Sequence, residues 1–271
     1  MQNPLPSLML IGCGKMGGAL FSRWVENALP PSAVVDHHKE ELTQKFSSTQ
    51  HIFSASVKEI PDHFTPQMII LAVKPAKAME ALTSLPNRFK NSPVISILAG
   101  KTVAYLRAGL TPTTPIIRVM PNTPSLIGAG MSVAYAEANI SDPIKAACAA
   151  LFECAGEFAW VEHEDLMHAV TALSGSGPAY IFYLAELLLT IAKNYKLPQP
   201  LANRLVTQTL YGSSLLLKTS ALTPEELRQQ VTSPQGTTAA ALSVLMQPSA
   251  WPETLERALQ AACERSRELN Q

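Results

Sequence analysis

A four-residue apolar segment followed at once by a glycine-rich turn is the feature that most restricts how this chain can fold. Leu8–Ile11 is continuously apolar, as expected of a strand that is buried on both faces. GCGKMG follows at positions 12–17, where helical spacing begins, and Asp36 ends the next predicted strand. A GxGxxG sequence between a strand and a helix, with an acidic residue about 20 positions later, is typical of a dinucleotide-binding βαβ unit.

Each glycine of this turn has a separate task in such a unit. Gly12 permits the tight turn, Gly14 allows a pyrophosphate to approach the backbone, and Gly17 lets the helix pack closely on the strand. Lys15 and Met16 open the helix, whose N-terminal N–H groups offer a site for phosphate. We therefore assign these residues to a cofactor site. A strand-to-helix turn with incidental glycines is the alternative, and the surrounding pattern disfavours it.

Up to residue 161 the sequence alternates between short apolar runs and segments with helical spacing. Such alternation indicates βαβ units and a mainly parallel sheet, so we predict an α/β, Rossmann-type dinucleotide-binding domain at residues 1–161. The predicted strands are Leu8–Ile11, Ala33–Asp36, Met68–Val73, Val94–Leu98, Ile116–Met120, Met131–Tyr135 and Phe158–Val161. The predicted helices are Met16–Ala28, Lys39–Phe46, Pro75–Leu85, Thr102–Arg107 and Asp142–Cys154.

Beyond Val161 only helical spacing is found, which predicts a second, all-helical domain at residues 162–271. Several of its helices begin with Pro in the first turn, where the missing N–H costs nothing. A Gly/Ser/Pro cluster at 171–178 is expected to interrupt the helical structure between the first two of these helices. The predicted helices are Glu164–Ala172, Pro178–Tyr195, Pro200–Leu217, Pro224–Val231, Thr237–Met246 and Pro252–Leu269.

The residues after the second strand leave the choice between NADH and NADPH open. Asp36 can accept hydrogen bonds from both ribose hydroxyls of NADH, and its charge would repel the additional phosphate of NADPH. His37, His38 and Lys39 follow directly and can bind that phosphate. The sequence therefore supports either nucleotide.

Further turns are expected at the carboxyl ends of the strands, where ligands bind in a doubly wound sheet. Ala72-Val73-Lys74-Pro75 follows a central strand, Ala99 follows the next, and Asn122 lies between two prolines in a rigid turn. We assign these residues to the cofactor site, with Asn122 directing its amide at the nicotinamide. A solvated loop lysine and a purely structural turn are the alternatives for Lys74 and Asn122.

Two polar, glycine-containing motifs open helices in the second domain. Ser174-Gly175-Ser176-Gly177-Pro178 has more Ser and Gly than helix capping requires, which indicates close approach of a backbone or a ligand. Thr232-Ser233-Pro234-Gln235-Gly236-Thr237-Thr238 places hydroxyls and N–H groups at a helix N-terminus. This is an anion site without Arg or Lys, and it suits a carboxylate. Ordinary N-capping is the alternative for both motifs.

Composition narrows the class of protein. Lys plus Arg and Asp plus Glu both number 21, so there is no basic excess of the kind that nucleic-acid-binding domains carry. The four cysteines and six histidines show no metal-ligand spacing, which predicts no bound metal and no disulfide. The N-terminus has no Lys or Arg before Lys15 and predicts no signal peptide, so we expect a cytoplasmic protein.

Charged residues make up 15% of the chain, against about 25% in an average soluble domain. Such a deficit fits either a membrane protein or an oligomer with apolar interfaces. Leu166–Ala185 is long enough to span a bilayer, but its centre is rich in Gly, Ser and Pro, and Gln229–Pro252 is too polar. We therefore favour a soluble oligomer over a membrane protein.

Five motifs, taken in order, resemble those of pyrroline-5-carboxylate reductases. They are GCGKMG at 12–17, AVKP at 72–75, VMPNTP at 119–124, ALSGSGPAY at 172–180 and VTSPQGTTAAAL at 231–242, and they span nearly the whole chain. The last motif is the most specific, because glycine-rich dinucleotide sites are common to many families. Where the family usually reads Ser-Pro-Gly-Gly-Thr-Thr, this chain has Gln235 in place of the first Gly, which puts the local geometry of the loop in question.

The resemblance implies reduction of the cyclic imine Δ1-pyrroline-5-carboxylate to L-proline, the last step of proline biosynthesis, with NADPH or NADH as donor. It also implies a homodimer built from the helical domains, and in the family such dimers often assemble into decamers. Each active site is expected between one subunit's dinucleotide domain and its partner's helical domain. Low charge fits such an interface, because Leu166–Leu217 contains only four charged residues, Glu186, Lys193, Lys196 and Arg204.

The resemblance also implies which residues bind the substrate. The substrate carboxylate is expected on the N–H groups around Gly236, Thr237 and Thr238, with Ser233 adding a hydroxyl. Ser174 and Gly175 complete the predicted substrate-binding residues. Thr238 is the catalytic candidate, because its hydroxyl can hydrogen-bond the ring nitrogen and position the iminium or relay a proton from water, and the motif holds no His or carboxylate.

Three alternatives to the function implied by the resemblance are considered. A β-hydroxyacid dehydrogenase has similar domains but needs a catalytic Lys on the helix after a glycine-rich turn, and here no Lys follows Pro178 before Lys193. A reductase of another cyclic imine is harder to exclude, because one methylene changes binding by only about 1–3 kcal/mol. A non-catalytic dinucleotide-binding protein would bind nucleotide without turnover.

Overall fold

The computed structural model describes residues 4–270 and contains one eight-stranded sheet in that range. The strands are β1 (Leu8–Ile11), β2 (Ala33–Val35), β3 (Ile52–Ser54), β4 (Met68–Leu71), β5 (Val94–Ser96), β6 (Ile116–Met120), β7 (Gly130–Ala136) and β8 (Gly156–Trp160). Their order is β3-β2-β1-β4-β5-β6-β7-β8, and the pairs up to β6 are parallel. β7 is antiparallel to β6 and parallel to β8. The first six strands therefore have the order of a Rossmann fold, as predicted.

The strands β1, β2 and β4 are apolar throughout because helices cover both faces of the sheet. Along β1, Leu8 and Leu10 pack into one hydrophobic cluster and Met9 and Ile11 into another, following the two-residue period of a strand. The first cluster includes side chains of the helices Lys15–Glu26 and Asp142–Glu153, and the second includes those of the helices Ala78–Thr83 and Val103–Arg107. The helices of this region are α1 (Lys15–Glu26), α2 (Lys39–Lys45), α3 (Ala78–Thr83), α4 (Val103–Arg107) and α5 (Asp142–Glu153).

The short edge strand β3 was not predicted from the sequence. It has three residues and pairs only with β2. Its last residue, Ser54, donates its hydroxyl to the Ser56 carbonyl at 2.9 Å and to the Glu59 carboxylate at 3.0 Å. A strand this short, with a polar end, has too few residues to show an apolar alternation.

The predicted helix at Pro75–Leu85 also differs from the structure, since it opens as a 3-10 turn at Pro75–Lys77 before α3 begins.

The rest of the described chain is helical. The helices are α6 (Leu166–Val170), α7 (Gly177–Asn194), α8 (Gln199–Thr219), α9 (Pro224–Gln230), α10 (Thr237–Leu245) and α11 (Trp251–Glu268). α9 shows why such a helix begins where it does. Thr223 accepts the Glu226 N–H, the Glu226 carboxylate accepts the Thr223 N–H in return, and Pro224 fills the first helical position. The second region is therefore all-helical, as predicted.

The chain divides into two compact units, and the division differs from the predicted boundary after residue 161. One unit contains the residues up to Ser176 together with those from Ala262 onward, and the other is Gly177–Ala261. The strands do end at Trp160, but the segment after them stays with the sheet. Glu164 accounts for much of this, because its carboxylate lies 2.7 Å from the Arg118 guanidinium and accepts the Val103 N–H at 2.7 Å.

The last turns of α11 belong to the same unit as the sheet. His168 Nδ1 lies 2.9 Å from Ser266 Oγ, and Thr102 donates its hydroxyl to the Asn270 side-chain oxygen at 2.8 Å. Gly100 has a φ of +78°, and a Cβ there would lie 2.5 Å from the Leu269 Cβ. The first unit is therefore built from two separated parts of the chain.

The Gly/Ser/Pro cluster after α6 does not break the helix, contrary to the prediction. Thr171–Gly175 forms a π-helical turn, and α7 follows from Gly177. The Ser176 N–H donates to the Thr171 carbonyl at 2.8 Å, five residues back. A π turn accommodates one extra residue without ending the helix, and such turns are frequent at functional sites. Pro178 is tolerated because it lies in the first turn of α7.

Leu166–Asn194, which includes this turn, is the one helix within residues 4–270 that is long and apolar enough to cross a membrane. A single such helix is weak evidence for a membrane span, because long helices at the core of soluble assemblies meet the same criterion. Its apolar side chains are largely unburied by the chain itself, and Phe182 is 65% exposed. Exposed apolar area on this scale marks an interaction surface.

Candidate active site

The glycine-rich turn lies against the end of the neighbouring strand β4. Gly12 has a φ of +91°, and a Cβ there would lie 2.8 Å from backbone atoms of Ala72 and Val73. Its N–H donates to the Val35 carbonyl at 2.8 Å, which ties the turn to β2 as well. Only glycine satisfies both the backbone angle and the close approach. The structure thus brings together Gly12, Ala72 and Val73, three residues predicted for the cofactor site.

The next two glycines differ in what surrounds them. A Cβ on Gly17 would collide with the Gly12 carbonyl oxygen, so the helix α1 packs directly on the turn. A Cβ on Gly14 would meet nothing within 4 Å. Gly14 is the N-cap of α1 and provides no side-chain cap. The first N–H groups of α1, beside exposed Lys15, therefore have no capping side chain and can donate to a pyrophosphate.

Asp36 holds the glycine-rich turn from the end of β2. Its carboxylate accepts the Cys13 N–H at 2.6 Å and the His38 N–H at 2.9 Å. Burial, and after it the Asp36 charge, raises the pKa of the Cys13 thiol to about 11. The carboxylate oxygens keep lone pairs for ribose hydroxyls, because each accepts only one of these bonds.

Two of the three basic side chains that follow Asp36 lie close to carboxylates. Lys39 Nζ lies 3.5 Å from Glu59, and His38 Nδ1 lies 3.6 Å from Glu41. Both pairs are solvent-exposed, so they can be exchanged for a phosphate at small cost. The geometry therefore leaves the preference between NADH and NADPH as open as the sequence did.

Lys74, Pro75 and Ala99 lie at the same edge of the sheet. Lys74 is exposed and precedes the 3-10 turn that Pro75 opens. Ala99 is half-buried and packs against the cluster of Met120, Val133 and Met167 at the end of β6. The structure thus places all three beyond the carboxyl ends of β4 and β5, where the sequence predicted them.

Asn122 contacts the predicted substrate residue Ser174. Its Nδ2 donates to the Ser174 carbonyl and hydroxyl oxygens, both at 3.3 Å, and its Oδ1 accepts the Met131 N–H at 2.9 Å. Asn122 is only 9% exposed. A Cβ on Gly175 would lie 3.0 Å from Met120 Sδ, so the π turn also packs tightly on the end of β6. The amide that was predicted to face the nicotinamide is thus hydrogen-bonded within the protein.

Ser233, Gly236, Thr237 and Thr238 belong to the helical unit. The Gly236 N–H donates to the Ser233 carbonyl at 3.1 Å, and Gly236 is the N-cap of α10 without a side-chain cap. The N–H groups of Thr237 and Thr238 therefore start a helix whose first turn has no capping side chain, which suits an anion. Gln235 has a φ of 57°, so it adopts the left-handed conformation for which glycine is preferred.

The loop before α10 contains no ionisable side chain, and Thr238 is half-buried. Across residues 4–270 no three His, Cys, Asp or Glu side chains are grouped so as to hold a metal. The chemistry that these loops offer is therefore hydrogen bonding and orientation of bound molecules.

Comparison with known proteins identifies the family. A model described as pyrroline-5-carboxylate reductase dimerisation matches residues 164–269, and a coenzyme F420-dependent NADP oxidoreductase model matches residues 7–100. The pyrroline-5-carboxylate reductase of Haemophilus influenzae is 32% identical over 271 residues, which covers 99% of this chain and 98% of that protein. The chain belongs to the pyrroline-5-carboxylate reductase family.

Other members of the pyrroline-5-carboxylate reductase family agree. The Pseudomonas aeruginosa enzyme is 32% identical over 97% of both chains. Among solved structures, the Coxiella burnetii reductase superposes with a TM-score of 0.87 at 29% identity, covering 98% of this chain and 99% of its own. The Plasmodium falciparum reductase, solved with NADP bound, gives 0.85 at 29% identity over the full length of both chains.

Family membership confirms the predicted fold class and makes the chain an oxidoreductase with a Rossmann-type domain followed by a helical dimerisation domain. The motifs of the sequence did not predict the contact between Asn122 and Ser174, which lies 52 residues later. It also did not identify the bond from the Cys13 N–H to Asp36. An acidic residue at the end of β2 was the available signal for the second contact, and we find no sequence signal for the first.

Proposed function

We propose that this protein reduces Δ1-pyrroline-5-carboxylate to L-proline, the last step of proline biosynthesis. The observation that carries the proposal is the combination of an open, uncapped phosphate turn at Gly14 with an uncapped, uncharged helix start at Gly236 in a member of this family. The first suits a dinucleotide and the second suits a small carboxylate. The reaction needs both.

NADPH is the proposed hydride donor, with NADH as the alternative. A relative of known structure is described with NADP bound, and one matching family model is of NADP oxidoreductases. The proposed binding residues are Gly12, Gly14, Lys15, Met16, Gly17, Asp36, Ala72, Val73, Lys74, Pro75 and Ala99. The cofactor supplies the hydride, and the protein orients the two partners at near-attack distance.

The substrate carboxylate is proposed to bind the N–H groups at the start of α10, around Gly236, Thr237 and Thr238, with the Ser233 hydroxyl beside them. Thr238 is the proposed catalytic residue, and its hydroxyl hydrogen-bonds the imine nitrogen. A threonine hydroxyl is a poor acid, so its role is to position the iminium or relay a proton from water. Ser174 and Gly175 are proposed to complete the substrate site.

The assembly is proposed to be a cytoplasmic homodimer formed through the helical region, with a decamer as a further stage. The match to a dimerisation domain over residues 164–269 and the exposed apolar side chains of α7 and α8 support the dimer. The active site would then combine one subunit's dinucleotide unit with its partner's helical unit. Sedimentation velocity distinguishes monomer, dimer and decamer directly.

The proposal is tested by the loss of reduced-nicotinamide absorbance when pyrroline-5-carboxylate is added to the purified protein. Parallel runs with NADPH and NADH determine the preference, and a six-membered cyclic imino acid tests the related substrate. A flat trace with both cofactors, combined with measurable nucleotide binding, would support a non-catalytic dinucleotide-binding protein instead. For Thr238, we expect Thr238→Ala to lower kcat/KM, and a change within about twofold would remove the assigned role.

A further inference from the structure

We propose that Asn122 is a positioning residue, which orients Ser174 as a hydrogen-bond donor and holds the π turn that carries it. The inference rests on the proposed reductase function. It replaces the expectation that the Asn122 amide contacts the nicotinamide.

The two ends of the Asn122 amide have different partners. Oδ1 accepts the Met131 N–H at 2.9 Å, next to the start of β7 at Gly130. Nδ2 donates to Ser174 at 3.3 Å, to both the carbonyl and the hydroxyl oxygen. Because Asn122 is only 9% exposed, water has limited access to these bonds. The amide therefore links β7 to the π turn at a fixed orientation.

Pro178 removes one helical donor from the Ser174 carbonyl. In an α-helix the carbonyl of Ser174 would accept the N–H of residue 178, and proline has none. The Asn122 amide supplies a donor to this carbonyl from outside the helix. At the next position of the same turn, a Cβ on Gly175 would lie 3.0 Å from Met120 Sδ, so the turn packs closely on this side chain. The turn is thus held at the end of β6 by one hydrogen-bonded side chain and one close contact.

The same amide sets the direction of the Ser174 hydroxyl. An amide N–H that donates to Ser174 Oγ occupies one of its lone pairs, so the hydroxyl proton is directed to a different acceptor. A substrate carboxylate is an acceptor of the required kind. Asn122 thereby selects the donor state of Ser174 without contacting a ligand itself.

Asn122→Asp tests this directly because it preserves the shape and the acceptor for the Met131 N–H. It removes the donor, and the new carboxylate draws the Ser174 proton toward itself. We expect kcat/KM for the imine to fall at least tenfold, while the dissociation constant for NADPH, measured by fluorescence quenching, stays within about threefold. Asn27→Asp is the matched control, since Asn27 also donates to a carbonyl but lies at the end of α1.

A double-mutant cycle separates positioning from general stability. In a Ser174→Ala background the hydroxyl is gone, so Asn122→Asp should cost less than about threefold in kcat/KM. Equal losses in both backgrounds, with an unchanged cofactor affinity, would overturn the proposal. Faster amide hydrogen exchange at Ser176 in Asn122→Asp is expected as well, since that N–H closes the π turn. An unchanged exchange rate would remove Asn122 as the holder of the turn.

The proposed function and this inference fail in different ways. If the wild-type protein does not turn over pyrroline-5-carboxylate with either cofactor, the reductase assignment fails. Hydrogen exchange at Ser176 still reports on the hold of Asn122 in that case. If the wild-type protein turns over and the cycle is additive, only the role of Asn122 fails.

Discussion

Gln235 occupies a backbone conformation that an L side chain disfavours. Its φ is 57°, it follows Pro234, and the turn is closed by the bond from the Gly236 N–H to the Ser233 carbonyl. Pro in the second position and a positive φ in the third are the pattern of a type II turn, for which glycine is preferred in the third position. The departure from the usual family motif therefore changes the side chain and keeps the turn.

Replacing Gln235 with glycine should stabilise the loop. We expect Gln235→Gly to raise the free energy of unfolding by about 1 kcal/mol. The left-handed conformation costs a residue with a side chain about 1–2 kcal/mol, and glycine avoids this cost. Part of the benefit is lost because glycine gives the unfolded chain more conformational freedom. Urea denaturation at fixed protein concentration measures the change. A lower stability for the variant would show that the Gln235 side chain makes a contact that outweighs the strain.

The Cys13 thiol should be unreactive in spite of its place in the phosphate turn. With its pKa raised to about 11 by burial and the Asp36 charge, only a very small fraction is thiolate at neutral pH. We expect iodoacetamide at pH 7.5 to modify Cys13 far more slowly than a cysteine in a short peptide. Mass spectrometry of the digested protein follows the reaction, and equal rates would contradict the assigned environment.

Residue roles were predictable where the constraint is local. Gly12, Gly14 and Gly17 were assigned from a turn between a strand and a helix, and the structure gives them the expected backbone angle, open space and close packing. The partner of Asn122 was not predictable, because two prolines restrict the turn but do not say what the amide faces. Contacts between residues far apart in sequence depend on how the elements pack.

At the scale of elements, one buried ion pair joins three segments. Arg118 on β6 is 2% exposed, and Glu164 contacts both this guanidinium and the Val103 N–H at the start of α4. Element types were predicted well from apolar periodicity. Two features were missed. β3 has too few residues to show an apolar period, and the π turn differs from an α-helix only in hydrogen bonds that reach one residue further.

Removing the Glu164 carboxylate should destabilise the protein strongly. We expect Glu164→Ala to lower the free energy of unfolding by about 3 kcal/mol, because it leaves a buried guanidinium unpaired. The double variant Arg118→Met with Glu164→Ala should recover part of this loss, since the buried guanidinium that lost its partner is then absent as well. Urea denaturation compares the variants, and a loss below about 1 kcal/mol for Glu164→Ala would contradict the expectation.

Stability should fall in mild acid through His51, next to β3. Burial lowers the pKa of His51, and its Nδ1 accepts the N–H of fully buried Ser32 at 3.1 Å. The unfolded chain, with a histidine pKa of about 6.5, then binds protons at higher pH than the folded chain. His51 therefore contributes its full stabilisation above the pKa of the unfolded chain. This contribution is lost as the pH decreases from that pKa toward the lower pKa of the folded protein. Denaturation at pH 7.5 and 5.5 measures this.

The variant His51→Asn serves as the control for this pH dependence. We expect a smaller loss of stability between the two pH values than in the wild type, because one group with a lowered pKa is absent. The pKa of His168 is also lowered, mainly by burial, so some dependence remains. An equal loss in both proteins would exclude His51 as a contributor.

At the scale of the whole molecule, the low charge of the sequence corresponds to exposed apolar side chains on α7 and α8. Phe182 and Tyr183 on α7 and Tyr211 on α8 are each more than half exposed. The two compact units could not be predicted, because one of them combines residues near both ends of the chain. The bond between His168 and Ser266, 98 residues apart, has no counterpart in any local pattern.

Introducing a charge on α7 should disrupt the assembly. We expect Phe182→Glu to shift the protein toward monomer or aggregate and to abolish turnover, because obligate interfaces are apolar and exclude unpaired charge. Glu40→Lys, on exposed α2, is the control and should leave the assembly intact. Sedimentation velocity and activity are measured on the same samples, and an active monomeric variant would contradict a shared active site.

The return of the last turns of α11 to the first unit has a consequence for synthesis on the ribosome. Roughly 85 residues separate the two parts of that unit. At about 5–20 residues per second, translation of this insert takes on the order of 4–17 seconds. During that interval the residues of α11 that pack on Gly100 and His168 have not been synthesised, so the first unit is incomplete in the nascent chain. Synthesis of the last turns of α11 should therefore lower the dependence of expression on chaperones.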